Sequence, residues 1–174
     1  MKKRLPKAII RDFKMSDKTN IAKHANNRKI WRNVRDAFPH PYTEANAEQW
    51  ISLMIESVVK TKFAIVVDGN AVGGIGVEVK EDVYSQTMEF GYWIGEAYWN
   101  KGIITEAIQV MTGYVFQTFD VMRLEAHVYH WNVGSMRALE KAGFVKEAIL
   151  KKRVFKDGEY VDEHIFAKFD SFPQ

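Results

Sequence analysis

Two repeating patterns of apolar positions divide the chain into predicted strands and helices. Every second residue is apolar between Thr87 and Ile94, which places Met88 and Phe90 on one face of a strand and Glu89 on the other. After Thr43, apolar residues recur at spacings of three and four, which is typical of a helix with one buried face. That face comprises Ala47, Trp50, Ile51, Met54, Ile55 and Val58.

Turn signals and further patterns complete the predicted order of elements. Asp-Gly pairs at residues 68–69 and 157–158 predict two β-hairpins, because this pair favours the tight turn between antiparallel strands. Strands are also predicted near residues 8–13 and 122–129, and helices near Ile103 and Ser135. A helix that connects two strands in the middle of the chain predicts a crossover. The sequence therefore predicts an α+β fold.

Length and composition narrow the class of protein. The 174 residues predict a single domain over residues 1–174, with the basic residues 1–7 frayed. Cysteine is absent, which excludes disulfides and thiolate ligands and agrees with a cytoplasmic location. No apolar run approaches the roughly 18 residues of a membrane span, so no membrane association is expected. The net charge of +3, without a block of like charges, argues against a nucleic-acid partner.

The five histidines do not have the spacing of a metal site, so no metal is expected. His127 and His130 are three residues apart on a predicted strand and its end, whereas two ligands on one strand face are two residues apart. The phosphate-binding patterns G-x-x-x-x-G-K-[S/T] and G-x-G-x-x-G before a helix are also absent, which argues against these nucleotide sites.

The turn before the predicted helix at Ile103 is the strongest candidate for a binding site. Backbone N–H groups at a helix N-terminus are unpaired and lie at the positive end of the helix dipole, so they suit an anion. Gly102 lets a ligand approach the backbone, Lys101 adds a positive charge, and Thr105 brings a hydroxyl. The alternative is that Gly102 only turns the chain and that Thr105 is an ordinary first-turn residue.

Four segments in a fixed order make the assignment more specific. MEFGYWIGEAYWNKGIITEAI, RLEAHVYHWNVGSMRALEKAGF and DGEYVDEHIFAKF, preceded by PHPYTEANAEQWI, resemble the GNAT superfamily of acetyl-CoA-dependent N-acetyltransferases. The resemblance extends from about residue 8 to 169 and is strongest to the branch of the ribosomal-protein N-terminal (RimJ/RimL-like) and polyamine acetyltransferases. It implies one domain with a mixed, mostly antiparallel sheet of about six to seven strands, splayed between two central strands and flanked by helices.

The resemblance also implies where acetyl-CoA binds. The pantetheine would lie in the split of the sheet and the pyrophosphate on the turn, where Trp99, Gly102 and Ile104 occupy key positions of the family pattern Q/R-x-x-G-x-G/A. Ile104 is bulkier than the small residue of that pattern. Asn132 has the alternative role of an ordinary helix N-cap. The implied cofactor-binding residues are Tyr92, Trp93, Ile94, Trp99, Asn100, Lys101, Gly102, Ile103, Ile104, Thr105, Asn132 and Ser135.

Acetyl transfer to an amine requires a base, because most primary amines are protonated at neutral pH. Glu89 is the candidate base, since it lies on the strand before the turn and on the face opposite Met88 and Phe90. A solvated strand glutamate is the alternative. Ser135 is the candidate acid that protonates the departing thiolate. Trp31, Tyr42 and Trp50 either shape the acceptor pocket or belong to the core.

The sequence thus predicts an acetyltransferase that acts on an amine-bearing small molecule or a protein N-terminus, as a monomer or homodimer. Two alternatives remain at this point. One is a coenzyme A-binding regulatory module without turnover, which the bulky Ile104 suggests. The other is an RNA- or ribosome-associated protein, against which the modest charge argues.

Overall fold

The computed structural model describes residues 1–170, and within them eight strands form one mixed sheet. The sheet is parallel between the fifth and sixth strands and antiparallel in its other registered pairs. The predicted α+β fold is therefore confirmed, with eight strands in place of about six to seven. The strands are β1 Lys2–Arg4, β2 Ile9–Arg11, β3 Lys62–Val67, β4 Asn70–Val79, β5 Thr87–Ile94, β6 Arg123–Tyr129, β7 Val145–Lys156 and β8 Glu159–Phe169, in the order β1-β2-β3-β4-β5-β6-β8-β7.

Five α-helices connect these strands: α1 Lys18–Ala25, α2 Arg28–Trp31, α3 Glu44–Glu56, α4 Ile103–Thr118 and α5 Val133–Lys141. The predicted start of α3 is confirmed, because Thr43 accepts a hydrogen bond from the Asn46 amide and Asn46 accepts one from the Thr43 amide. The predicted apolar face of this helix is too long. Val58 lies beyond the helix and is 96% exposed, and Ile55 is also exposed.

The first residues of the chain differ from the prediction of a frayed terminus. Lys2–Arg4 form β1, which pairs with β2 in antiparallel register from Lys2 with Arg11 to Arg4 with Ile9. The three side chains of β1 are exposed, so the strand has no buried face that an apolar pattern would reveal. Backbone pairing alone therefore places these residues in the sheet.

Contacts divide the chain into two compact units. The first unit comprises Met1–Gly76 and Tyr92–Ala107. Its core lies between α1, α3 and strands β3 and β4, where side chains with almost no exposure pack together. Burial of this apolar surface is the main force that holds α1 and α3 in place. The core side chains are Phe13, Ile21, Ala22, Ala25, Tyr42, Ala47, Ile51, Ala64, Val66 and Ala71.

The second unit comprises Val77–Gly91 and the chain from Ile108 onward. Met88 on β5 and Leu124 on β6 are opposite each other and almost fully buried, so this face of the two strands lies in the core. The ladder between β5 and β6 covers only Thr87–Glu89 with Arg123–Glu125. Among residues 1–170, no helix is both long and apolar enough to cross a bilayer.

Candidate functional site

The turn between β5 and α4 contains two residues in the left-handed region of backbone conformation. Asn100 and Gly102 both have positive φ, at 58° and 81°, with Lys101 between them. Asparagine tolerates this left-handed region better than most residues, and glycine adopts it without strain. No atom lies within 4 Å of a Cβ built on Gly102, so it is the backbone angle, not lack of space, that favours glycine here.

The amides of this turn are mostly without acceptors in the protein. The Trp99 amide donates to the Glu96 carbonyl at 3.1 Å, and the Glu106 amide donates to the Gly102 carbonyl at 3.2 Å. Across residues 1–170, no hydrogen bond from the six amides between these two positions is found, from Asn100 to Thr105. These N–H groups surround the positive end of the α4 dipole, so the turn can hold an anion such as a diphosphate.

Trp99 itself uses both of its N–H groups within the protein. Besides its amide, its indole Nε1 donates to the Ile94 carbonyl at 2.8 Å. This bond ties the end of β5 to the turn, so the donors of the turn without an acceptor among residues 1–170 are the amides of residues 100–105. Because both N–H groups of Trp99 already donate within the protein, its predicted role toward the cofactor would be to fix the turn or to pack against the ligand.

Two lysines place positive charge at the turn. The Lys101 ammonium lies over the ring of Tyr98, 5.3 Å from its centre. The Lys7 ammonium donates to the Lys101 carbonyl at 2.9 Å. The place of Lys7 at this turn is not apparent from the sequence, because Lys7 lies 94 residues from Lys101 and belongs to a segment that was predicted to be frayed.

Glycines of β4 let the strand β5 come close at Trp93 and Ile94. A Cβ on Gly73 would collide with the Trp93 carbonyl oxygen and would lie 2.9 Å from the Ile94 Cα. A Cβ on Gly74 would lie 3.2 Å from the Trp93 indole nitrogen. The Trp93 ring packs edge-on against Phe38, with 5.6 Å between ring centres. The side chain of Trp93 thus belongs to the packing of the first unit.

Glu89 lies in the second unit, half-buried on the face of β5 opposite the buried Met88. Its partner in the parallel register is Glu125 on β6. Two carboxylates at paired positions repel each other unless cations lie nearby. Glu125 has such cations, because Lys80 forms an ion pair with it and the Arg123 Nε lies 3.3 Å from its Oε2. Despite the burial that opposes it, this pairing holds the pKa of Glu125 below its ordinary value.

Asn132 acts as the N-cap of α5. Its Oδ1 accepts a hydrogen bond from the Ser135 amide at 3.3 Å. The alternative role of Asn132 as a helix N-cap is thus present, and it holds Asn132 and Ser135 together at the helix start. Whether these residues also contact a thioester stays a prediction.

The three aromatic residues considered for an acceptor pocket lie in the first unit. Tyr42 is buried in its core, and this burial raises the pKa of the Tyr42 hydroxyl to about 12. Trp50 is half-buried beneath the Lys62 ammonium, which lies 5.1 Å from the ring centre. Trp31 stacks on His40, with 5.7 Å between ring centres. Tyr42 therefore belongs to the core, as the alternative interpretation had it.

No group of three or more metal-ligating side chains is found within residues 1–170.

Comparison with known proteins identifies the family. Residues 7–145 match the family described as "Acetyltransferase (GNAT) domain". The chain belongs to this family. The match confirms two predictions from the sequence: membership of the GNAT superfamily and the enzyme class of acetyltransferases.

The relatives of this GNAT chain include N-acetyltransferases of Bacillus subtilis. It is 44% identical over 82 residues to the probable N-acetyltransferase YjcK, a match that covers 47% of this chain and spans about half (45%) of that relative. It is 31% identical over 136 residues to the prophage-derived N-acetyltransferase YokL, which covers 77% of this chain and 75% of the relative.

The fold also matches that of RimL, described as the ribosomal L7/L12 α-N-protein acetyltransferase in complex with coenzyme A. The TM-score is 0.81 at 16% identity, and the match covers 95% of each chain. At this identity the match shows the common fold, which agrees with the fold expected from the sequence.

Proposed function

We propose that this protein transfers the acetyl group of acetyl-CoA to a primary amine. The single observation that carries the proposal is the series of amides from Asn100 to Thr105, which lack protein acceptors at the start of α4 in a chain of the GNAT family. A diphosphate is the anion whose charge and several oxygens suit such a series of donors. That RimL is described with coenzyme A supports the choice of acetyl-CoA.

Binding of acetyl-CoA would use the first unit. The amides of residues 100–105 would hold the diphosphate, and Lys7 and Lys101 would add positive charge. The backbone of Tyr92 and Trp93 would pair with the pantetheine amides. The Ile94 carbonyl already accepts from the Trp99 indole, so Ile94 would contribute less than its neighbours. The backbone donor of Ile104 does not depend on the size of its side chain, which is why its bulk does not remove the site.

Acetyl transfer would use Glu89 and Ser135 of the second unit. The Glu89 carboxylate would accept a proton from the acceptor ammonium, directly or through water. The free amine nitrogen would then attack the thioester carbonyl carbon, and the carbon–sulfur bond would break as the new amide bond forms. The departing thiolate would take a proton from the Ser135 hydroxyl, and this hydroxyl would regain one, directly or through water, from the new amide nitrogen as that nitrogen loses its second proton. Alignment of the two reactants would supply much of the remaining rate enhancement.

The acceptor is proposed to be a protein N-terminus or a small polyamine-like amine. The description of RimL as an α-N-protein acetyltransferase supports the first class. Peptides that begin with Ala, Ser or Thr, together with spermidine and an aminoglycoside, form a suitable panel. Thiol release from acetyl-CoA with each acceptor measures turnover. Binding of coenzyme A without turnover on a broad panel would favour a regulatory coenzyme A-binding module instead.

Replacement of Glu89 tests its role as the base. Glu89→Gln should lower kcat by roughly a hundredfold, as expected for the loss of a general base, with the KM for acetyl-CoA little changed. The matched control is Glu81→Gln, which removes an exposed carboxylate outside the strands of the same unit. Near-wild-type turnover by Glu89→Gln would remove Glu89 from the mechanism.

A further inference from the structure

His127 on β6 lies between two carboxylates from two strands. Its Nε2 lies 3.5 Å from Glu125 Oε1, and its Nδ1 lies 3.3 Å from Glu163 Oε2 on the neighbouring strand β8. The His127 side chain is 29% exposed, while Glu163 as a residue is 8% exposed. A carboxylate that is buried to this degree needs a cation or hydrogen bonds to stay ionised.

This cluster occupies the same face of the sheet as Glu89. Glu89 and Glu125 are partners in the parallel register of β5 and β6, and partners in register have side chains on one face. His127 follows Glu125 by two residues and therefore shares that face. The three carboxylates Glu89, Glu125 and Glu163 and the His127 imidazole thus belong to one surface of the second unit.

Glu125 and Glu163 differ in the cations that pair with them. Glu125 is paired with Lys80 and with Arg123, and Arg123 is also held by Glu147 on β7. For Glu163, no cation other than His127 pairs with it within the described chain, 1–170. When it is protonated, His127 is therefore the group that balances the charge of this buried carboxylate.

The protonated form of His127 is favoured by its neighbours. The hydrogen bond to Glu163 raises the pKa of His127, burial opposes this, and the charges of Glu163, Glu89 and Glu125 add to the increase. Because this pKa lies above its ordinary value, the imidazolium persists to higher pH than that of an ordinary histidine and is lost as the pH rises further.

We propose that His127 is a positioning residue for the acetyl transfer proposed above: as an imidazolium bound to Glu163, it neutralises a carboxylate that shares its surface with Glu89, the proposed base. The inference rests on the proposed function. When His127 loses its charge, Glu163 is left as a buried carboxylate without a cation. It then competes with Glu89 for the acceptor ammonium or for its proton, and turnover falls.

Substitutions at His127 that differ in charge test this role. His127→Gln should lower kcat by about tenfold at pH values where His127 of the wild type is protonated, as expected for the loss of a hydrogen bond to a charged group. His127→Lys keeps a positive charge and should recover most of that loss. The double variant His127→Gln with Glu163→Gln should also recover activity, because it removes the unbalanced carboxylate. Lys151→Gln is the control, since it removes the exposed cation of the Lys151–Asp162 pair on the β7–β8 hairpin, which also carries Glu163.

The dependence of kcat on pH separates charge balance from a merely structural role. In the wild type, kcat should fall on the alkaline side as His127 loses its proton, and this fall should be absent in His127→Lys. Thermal melts establish that each variant is folded. An active wild type whose His127→Gln variant keeps the wild-type kcat and pH profile would overturn this inference alone. A wild type that turns over no amine would overturn the proposed function together with it.

Discussion

Replacing Gly102 by alanine tests whether the conformation of the turn serves binding. Gly102 has a φ of 81°, and a Cβ there would meet nothing within 4 Å. The whole cost to folding is therefore the strain of a left-handed alanine, about 1–2 kcal/mol. For a protein of this length, about 1 kcal/mol corresponds to a Tm change of roughly 2–4 °C. The Tm of Gly102→Ala should accordingly fall by a few degrees.

The effect of Gly102→Ala on acetyl-CoA should exceed its effect on folding. Relief of the strain would turn the amides of neighbouring residues away from the diphosphate. Loss of one hydrogen bond to a charged group weakens binding by about tenfold or more. Thiol release measured over a range of acetyl-CoA concentrations should show this as a higher KM, while calorimetry or fluorescence melts give the Tm.

The matched control is Gly113→Ala, in the interior of the same helix α4. No atom lies within 4 Å of a Cβ at Gly113, and alanine is favoured over glycine in a helix by about 1 kcal/mol. The same chemical change should therefore raise the Tm at Gly113 and lower it at Gly102, and only the second should raise the KM. A Gly102→Ala variant with unchanged KM for acetyl-CoA would refute the assignment of the turn.

Two further predictions concern the first unit. Asp17 accepts two hydrogen bonds from Arg11, at 2.7 and 2.8 Å, and one from the Lys14 amide. Asp17→Ala should therefore lower the free energy of unfolding, measured by urea denaturation, by about 3 kcal/mol. A decrease of less than about 1 kcal/mol would contradict this. Burial raises the pKa of the Tyr42 hydroxyl to about 12. Between about pH 10 and 12 this hydroxyl therefore loses its proton in the unfolded state but keeps it in the folded state. The free energy of unfolding should consequently fall as the pH rises through this range. Tyr42→Phe should show a smaller loss of stability between pH 9 and 11 than the wild type, and equal losses would contradict the assignment.

The sequence predicted those elements whose signals are local. The Asp-Gly turns of both hairpins have the expected positive φ at each residue, because this dipeptide tolerates the left-handed region. The cap of α3 at Thr43 and the alternation in β5 were likewise visible in adjacent residues.

The sequence did not reveal features that depend on pairing between distant segments. β1 consists of three charged residues without an apolar face, so only its register with β2 shows that it is a strand. His127 and Glu163 are 36 residues apart, and their contact depends on the register of β6 and β8. The pairing of His127 with Glu163 is not apparent from the sequence, because spacing along one strand gives no information about a neighbouring strand.

The most direct test of the proposed function is a crystal structure of the protein with acetyl-CoA. The account predicts diphosphate oxygens within hydrogen-bonding distance, about 2.7–3.2 Å, of several amides between Asn100 and Thr105. Acetyl-CoA bound elsewhere, with those amides making no contact to its diphosphate, would contradict the account.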